Sequence, residues 1–378
     1  MLELLFLLLP VAAGYGWIMG KNSAKNQAHQ QNRKITAQYS KGLKFLLDRE
    51  DDQGLEHLIE ILEVSADSVE HYLTLATLFR RRGELDRAIK IHELLLEHPN
   101  LNQQQQIDVR LELAQDYILA GLLDSAEEHL LILIKQNSAQ ALEPLISLYS
   151  QTRDWQKGIA LHLRYAHLFL QRQHKIAIAN FYCEAGISAQ KTELMSQALG
   201  VGEPSIRPLY ELGKMAFARE DYVQAIHYWR DLLYHFTVSS PLVLENLALS
   251  YRHLHLEHQF EHVLSELLEQ GGIGIKIQYC QYLLKDGKRK EAVEFITKSL
   301  KKQPNIRGFR FLLQLLAGQN VQLDEALNPI DKLIQSYIDT KAEYQCQHCG
   351  FQSHSHYWLC PSCRHWESMQ PSRGLDGF

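Results

Sequence analysis

The sequence predicts an all-α chain: an array of stacked helical hairpins that follows an apolar N-terminal segment and ends in a small metal-held tail. Three observations carry that expectation. From Tyr39 to about Tyr337 the apolar residues recur at helical spacing, and one order of small and bulky residues repeats along the stretch. Leu2–Met19 is apolar but for Glu3, and two C-x-x-C pairs lie near the end of the chain.

The apolar segment LELLFLLLPVAAGYGWIM has the length of a membrane-spanning helix, which needs about 20 such residues. A cleaved signal peptide carries its basic residues ahead of the apolar stretch, whereas Lys21, Lys25, Arg33 and Lys34 all follow it. Basic flanks stay on the cytoplasmic side. The expectation is therefore a single-pass helix over residues 2–19, with the bulk of the chain in the cytoplasm. Ala12, Gly16 and Gly20 fall on one face of that helix, the small-xxx-small spacing that lets membrane helices approach closely. The polar residues from Asn22 to Arg33 read as a linker. The organisation expected is an anchor over 1–20, a cytoplasmic linker over 21–34, repeats over 35–340, and a metal module with its tail over 341–378.

The repeats are read from self-similarity. In LATLFRRRGELDR followed by AIKIHELLL, Ala76 is small where two helices cross, and Phe79 fills the groove beside it. Gly83 ends the first helix, and Ala88 is the small contact on the second. The order returns as Ala114, Tyr117, Gly121, Ala126, and as Cys280, Leu283, Gly287, Ala292, with Ala248 and Tyr251 between them. An earlier copy is Gly42, Phe45, Gly54, and 34 positions separate Gly42 from Ala76, the period of tetratricopeptide repeats. Stacked units of this kind form a superhelix whose concave surface binds proteins. Trp155 and Gly158 stand in for the usual residues of one unit. The stretch Gly186–Arg207, with Gly200, Gly202 and Pro204 close together, predicts a short or distorted hairpin. The Gln103–Gln106 run reads as a polar loop or a helix entry.

Six cysteines are present, Cys183 and Cys280 singly and the other four as Cys346-Gln347-His348-Cys349 and Cys360-Pro361-Ser362-Cys363. The lone pair is read as small buried side chains on repeat helices. Each C-x-x-C makes a tight turn that offers two thiolates, and two such turns build a tetrahedral four-sulfur site for zinc or iron. Gly350 follows the first knuckle, where a positive φ is often needed. Tyr344, Phe351, Tyr357, Trp358 and Trp366 are expected to cover the metal, which would supply much of the folding energy of so short a module. Histidines 348, 354 and 356 are the competing ligands, outweighed by four cysteines. The run His253, His255, His258, His262 is read as a solvated helix face.

A formal charge of −5 gives no reason to expect nucleic-acid binding, which usually shows as a basic face. No nucleophile elbow, phosphate-cradling glycine loop or H-E-x-x-H appears, so the chain is not read as an enzyme.

The order of anchor, repeats and double knuckle, with the terminal sequence YQCQHCGFQSHSHYWLCPSCRHWESMQPSRGLDGF, closely resembles the lipopolysaccharide assembly protein B family of Gram-negative bacteria. GWIMG near the start and YSKGLKFLLDREDDQGLEHLIEIL before the first clear repeat are similar to the same family. The resemblance implies that Cys346, Cys349, Cys360 and Cys363 ligate one metal in a rubredoxin-like or zinc-ribbon-like module, which suggests iron, with zinc left open. It further implies an adaptor in the cell inner membrane. Such an adaptor brings the lipid A deacetylase LpxC to the membrane protease FtsH and so limits lipopolysaccharide synthesis. A general scaffold for lipopolysaccharide assembly enzymes and other inner-membrane regulators is the alternative it leaves, and an electron carrier is the remoter one.

Overall fold

A computed structural model describes Met19, Lys21 and residues 69–99, 101–317 and 321–378, with residues 321–324 described by backbone alone. The expected anchor, apart from Met19, lies outside the described residues, as do the linker after Lys21 and the copy at Gly42, Phe45 and Gly54. Among the described residues no helix is long and apolar enough to cross a membrane. The chain divides into two compact units, residues 1–141 and 142–378.

In the first unit, α1 (Val69–Arg82) pairs with α2 (Leu85–Glu97), and α3 (Gln103–Ala120) pairs with α4 (Leu123–Lys135). The glutamine run is the entry of α3. Asn102 Oδ1 accepts from the Gln105 N–H at 2.8 Å, and the Gln105 side chain accepts from the Asn102 N–H at 3.0 Å, a reciprocal cap. Tyr72, Phe79, Ile91 and Leu95 form the core of the first hairpin. Beside it, the fully buried Asp116 carboxylate takes His92 Nδ1 at 2.6 Å and Arg80 at 3.0 Å.

The second unit continues with five hairpins. They are α5 (Leu142–Thr152) with α6 (Trp155–Tyr165), and α7 (Arg172–Ala189) with α8 (Thr192–Ala198). Next come α9 (Ile206–Ala218) with α10 (Tyr222–His235), and α11 (Leu244–His253) with α12 (Glu257–Leu267). The fifth joins α13 (Ile273–Lys285) to α14 (Arg289–Lys302), after which α15 (Ile306–Ala317) and α16 (Val321–Asp339) follow. The fully buried Trp229, Tyr251 and Phe260 anchor the central core, and Cys280, Ala292 and Ile296 a further one toward α15.

Every one of these seven described hairpins turns in the same way. A residue with positive φ closes the first helix, at Gly83, Gly121, Arg153, Gln190, Glu220, His255 and Gly287. The N–H of the next residue then bonds the carbonyl five positions back from it, as Glu84 to Phe79, Asp154 to Tyr149 and Asp221 to Ala216 do at 2.9–3.0 Å. This is the Schellman closure of a helix end. Seven positions before each turn lies the inward residue of the crossing: Ala76, Ala114, Ile146, Cys183, Gly213, Ala248 or Cys280. Only Gly83, Gly121 and Gly287 announce themselves in the sequence, because at the other four turns a polar or charged side chain takes up the left-handed conformation.

The irregular stretch is a hairpin of this kind with a stunted second helix. α8 has 7 residues and runs into a short 3-10 turn at Leu199–Val201. Met195 occupies the place that Ala88 and Ala126 hold elsewhere, and Gly186 makes room for it: a Cβ there would lie 2.9 Å from Met195 Cγ. Size has moved from one helix to the other while the crossing is kept. The single-letter irregularity at Gly158 has the same cause, since a Cβ there would meet the buried ring of Phe181.

Candidate metal centre

After α16 the chain forms a small antiparallel sheet from β1 (Tyr344–Cys346), β2 (Gln352–Ser353) and β3 (Met369–Pro371), with β1 in the middle. The two knuckles project from it as near-copies. The Cys346 N–H bonds Phe351 O at 2.8 Å, and the Cys360 N–H bonds His365 O at 3.0 Å. The residue after each second cysteine is left-handed, Gly350 at φ 78° and Arg364 at φ 59°. Gly350 thus has the conformation its place in the first knuckle predicts, and Arg364 adopts it without being glycine.

The four sulfurs lie within 4.8 Å of one another. Cys346 Sγ is 3.6 Å from Cys363 Sγ, and Cys349 Sγ is 3.7 Å from Cys360 Sγ. A disulfide would bring a pair to about 2.05 Å. A tetrahedron with metal–sulfur bonds of about 2.3 Å has edges of about 3.8 Å, so these separations fit a four-thiolate site. Cys346 and Cys360 are buried while Cys349 is exposed, which leaves one edge of the cluster open to solvent. Burial works against the Cys346 thiolate, but Ser368 and the backbone N–H groups of Cys349 and His348 outweigh it and bring the thiol down to about 6. Burial pushes Cys363 up to about 12. Four thiolates this close repel one another, and a bound cation is what permits all four to ionise together. Zinc and iron both suit such a donor set.

The aromatic cover differs from the expectation. Tyr344 and Phe351 pack with Cys346, Cys360 and Met369 around the cluster. Trp358 and Trp366 do not; they face the helices. Trp366 sits 6.0 Å from both the Trp155 and the Phe181 rings and donates its indole N–H to Ser150 Oγ at 3.2 Å. Trp358 lies 5.4 Å from the Tyr210 ring. Tyr357 is exposed. The physical reason is area: the helical unit offers the indoles far more apolar contact than a two-turn knuckle can. The Arg207 guanidinium lies over both indoles, 5.5 Å from Trp358 and 5.9 Å from Trp366.

Glu367, which the sequence reading passed over, ties this contact together. Its carboxylate accepts from the Ile206 N–H at 2.8 Å, the Arg207 N–H at 3.1 Å, Asn180 Nδ2 at 2.9 Å and the Ser205 hydroxyl. It therefore caps α9, a helix that precedes it by some 160 residues (|i−j| = 160). An acidic residue just past the second knuckle was the one available signal, and nothing local links it to Ile206. Farther along, Asn305 Nδ2 donates to the carbonyls of Gly374 and Gly377 at 3.0 and 2.9 Å while its Oδ1 caps α15 through the Gly308 N–H. The module and its tail are thus fastened to the helices at two helix N-termini.

The two lone cysteines fall where the sequence placed them, whereas the histidine run is split between two helices and the turn that joins them and is not one helix face. Cys183 and Cys280 are fully buried, and burial raises both thiols, Cys280 to about 12. Of the histidine run, the side chains of His258 and His262 are 95% and 75% exposed, a solvated face. His253 stacks on Tyr222, and His255 is the left-handed turn residue. His354 is exposed, and His356 packs edge-on against Tyr344 and Trp358, outside the sulfur cluster.

Residues 344–371 match the family described as rubredoxin metal binding domain. Over the full length of both chains the sequence is 32% identical, across 391 aligned residues, to the lipopolysaccharide assembly protein B of Escherichia coli (strain K12). The protein of that name from Haemophilus influenzae is 30% identical over 394 residues, covering 98% of each chain. A solved tetratricopeptide repeat protein from Parabacteroides merdae aligns at 15% identity and a TM-score of 0.35, covering 66% of this chain and 99% of that one. With the double knuckle and the repeated hairpins in place along a full-length match, the chain belongs to the lipopolysaccharide assembly protein B family.

Proposed function

We propose that this chain is an inner-membrane adaptor that limits lipopolysaccharide synthesis by presenting the deacetylase LpxC to the protease FtsH. The observation that carries the reading is the full-length similarity to proteins named for lipopolysaccharide assembly, joined to a repeat architecture whose common use is protein binding. In this reading Leu2–Met19 spans the membrane and the remainder faces the cytoplasm. Tethering client and protease near one bilayer raises their effective concentration without any chemistry by the adaptor. Cys346, Cys349, Cys360 and Cys363 hold one iron or zinc ion, whose part is structural: it fixes the knuckle that carries Trp366 and Glu367 to the helices.

The test is the lifetime of the deacetylase in cells. Depleting the adaptor should lengthen the half-life of LpxC several-fold, and a variant lacking residues 1–20 should fail to restore it although it is still folded and metal-loaded. An unchanged half-life on depletion overturns the proposal.

A further inference from the structure

We propose that His348, Cys363 and His365 form a second metal site, which takes a borderline or soft cation such as Zn²⁺ and shares the Cys363 thiolate with the four-cysteine site. Candidate ligand atoms of these three residues lie within 4.8 Å of one another. The inference rests on the reading of the four cysteines as ligands, because Cys363 serves both sites. A thiolate sulfur keeps lone pairs after binding one metal and can bridge to a second.

Two features separate this cluster from an accidental pair of histidines. The first is the hydrogen bond made by His365. Its Nδ1 lies 2.9 Å from the Cys363 carbonyl oxygen, which can only accept, so Nδ1 carries the proton and Nε2 keeps its lone pair. Metal-ligating histidines are held in this way, with one ring nitrogen donating to a backbone carbonyl and the other facing the ion. The second feature is the surroundings. The three residues line a cavity of about 380 Å³ whose wall also carries Glu143 and His174. His174 is 94% buried by its 6% exposure, yet its Nδ1 has no hydrogen-bond partner. The wall thus carries a further imidazole beside the two of the cluster, and Glu143 brings a carboxylate to the same cavity.

The rings of His348 and His365 stack with centroids 3.6 Å apart and planes 20° apart. Bonds of about 2.0 Å to nitrogen and about 2.3 Å to sulfur require one ring to turn out of this stack. His348 is exposed and is the ring that turns, while His365 stays fixed by its carbonyl contact. The site so formed is open to solvent, and its ion exchanges faster than one held by four thiolates.

The experiment is a titration of the metal-free full-length chain with Co²⁺, followed by its thiolate charge-transfer and d–d bands, and repeated with Zn²⁺. The expected result is two equivalents per chain, the second weaker. His348→Gln should weaken the second equivalent at least roughly tenfold, and the His348→Gln/His365→Ala pair should abolish it. Both variants should keep the first equivalent and its tetrahedral cobalt spectrum, which also shows that they fold. A single equivalent in the unaltered chain overturns the second site alone. So does a second equivalent that survives the double variant. No tight equivalent in any of them overturns the four-thiolate reading and the second site with it.

Discussion

Glu367 accepts four hydrogen bonds, one from Asn180 of α7 and three from Ser205, Ile206 and Arg207 at the start of α9, two of them from backbone N–H groups. A carboxylate in that position gains from the partial positive charge of the helix end as well as from the bonds themselves. Removing it strands buried donors, and the loss is the desolvation of those groups rather than of one contact. Glu367→Ala should therefore cost on the order of 3 kcal/mol in urea unfolding. It should also shift tryptophan emission to the red as Trp366 loosens. Metal content should stay unchanged, since no sulfur is touched. An unaltered unfolding midpoint would show that the capping bonds contribute nothing net.

At the scale of the element, the recurrent unit is a hairpin whose first helix ends on a left-handed residue. Glycine holds that place without steric cost, whereas a side chain there costs about 1–2 kcal/mol. At Gly121 a Cβ would meet nothing within 4 Å, so Gly121→Ala isolates the backbone term and should destabilise by about 1 kcal/mol. Glu220 is the converse case, a non-glycine residue at φ 61°. Glu220→Gly should stabilise by up to about 1 kcal/mol, less the extra freedom that glycine brings to the unfolded chain. Equilibrium urea unfolding reads both. The opposite signs are the content of the prediction, and a destabilising Glu220→Gly would contradict it.

At the scale of the whole molecule, the metal module is continuous with the later hairpins. Trp366 packs against α6 and α7, Glu367 caps α9, and the tail accepts hydrogen bonds from Asn305, the residue that caps α15. Loss of the metal should therefore be felt in the helices. Chelation, or Cys346→Ser, should raise amide hydrogen exchange in the knuckles and at the start of α9 together. Exchange within α1–α4, which belong to the other compact unit, should be unaffected. If exchange at α9 does not change when the metal is removed, the module is an appendage and not part of the helical core.

The sequence by itself determined the hairpins marked by Gly83, Gly121 and Gly287, the stunted unit around Gly202, and the pairing of two C-x-x-C knuckles. These are legible because each is written in neighbouring residues: a helix end, a period, a turn. The four turns at Arg153, Gln190, Glu220 and His255 were not legible, since backbone strain at a polar residue leaves no mark in composition. Only the tertiary structure decided where Trp358 and Trp366 point, that Glu367 caps a helix far back along the chain, and that His365 stacks on His348. Those are contacts between segments the sequence does not place side by side. Burial area and unpaired backbone N–H groups choose them only after the helices have packed.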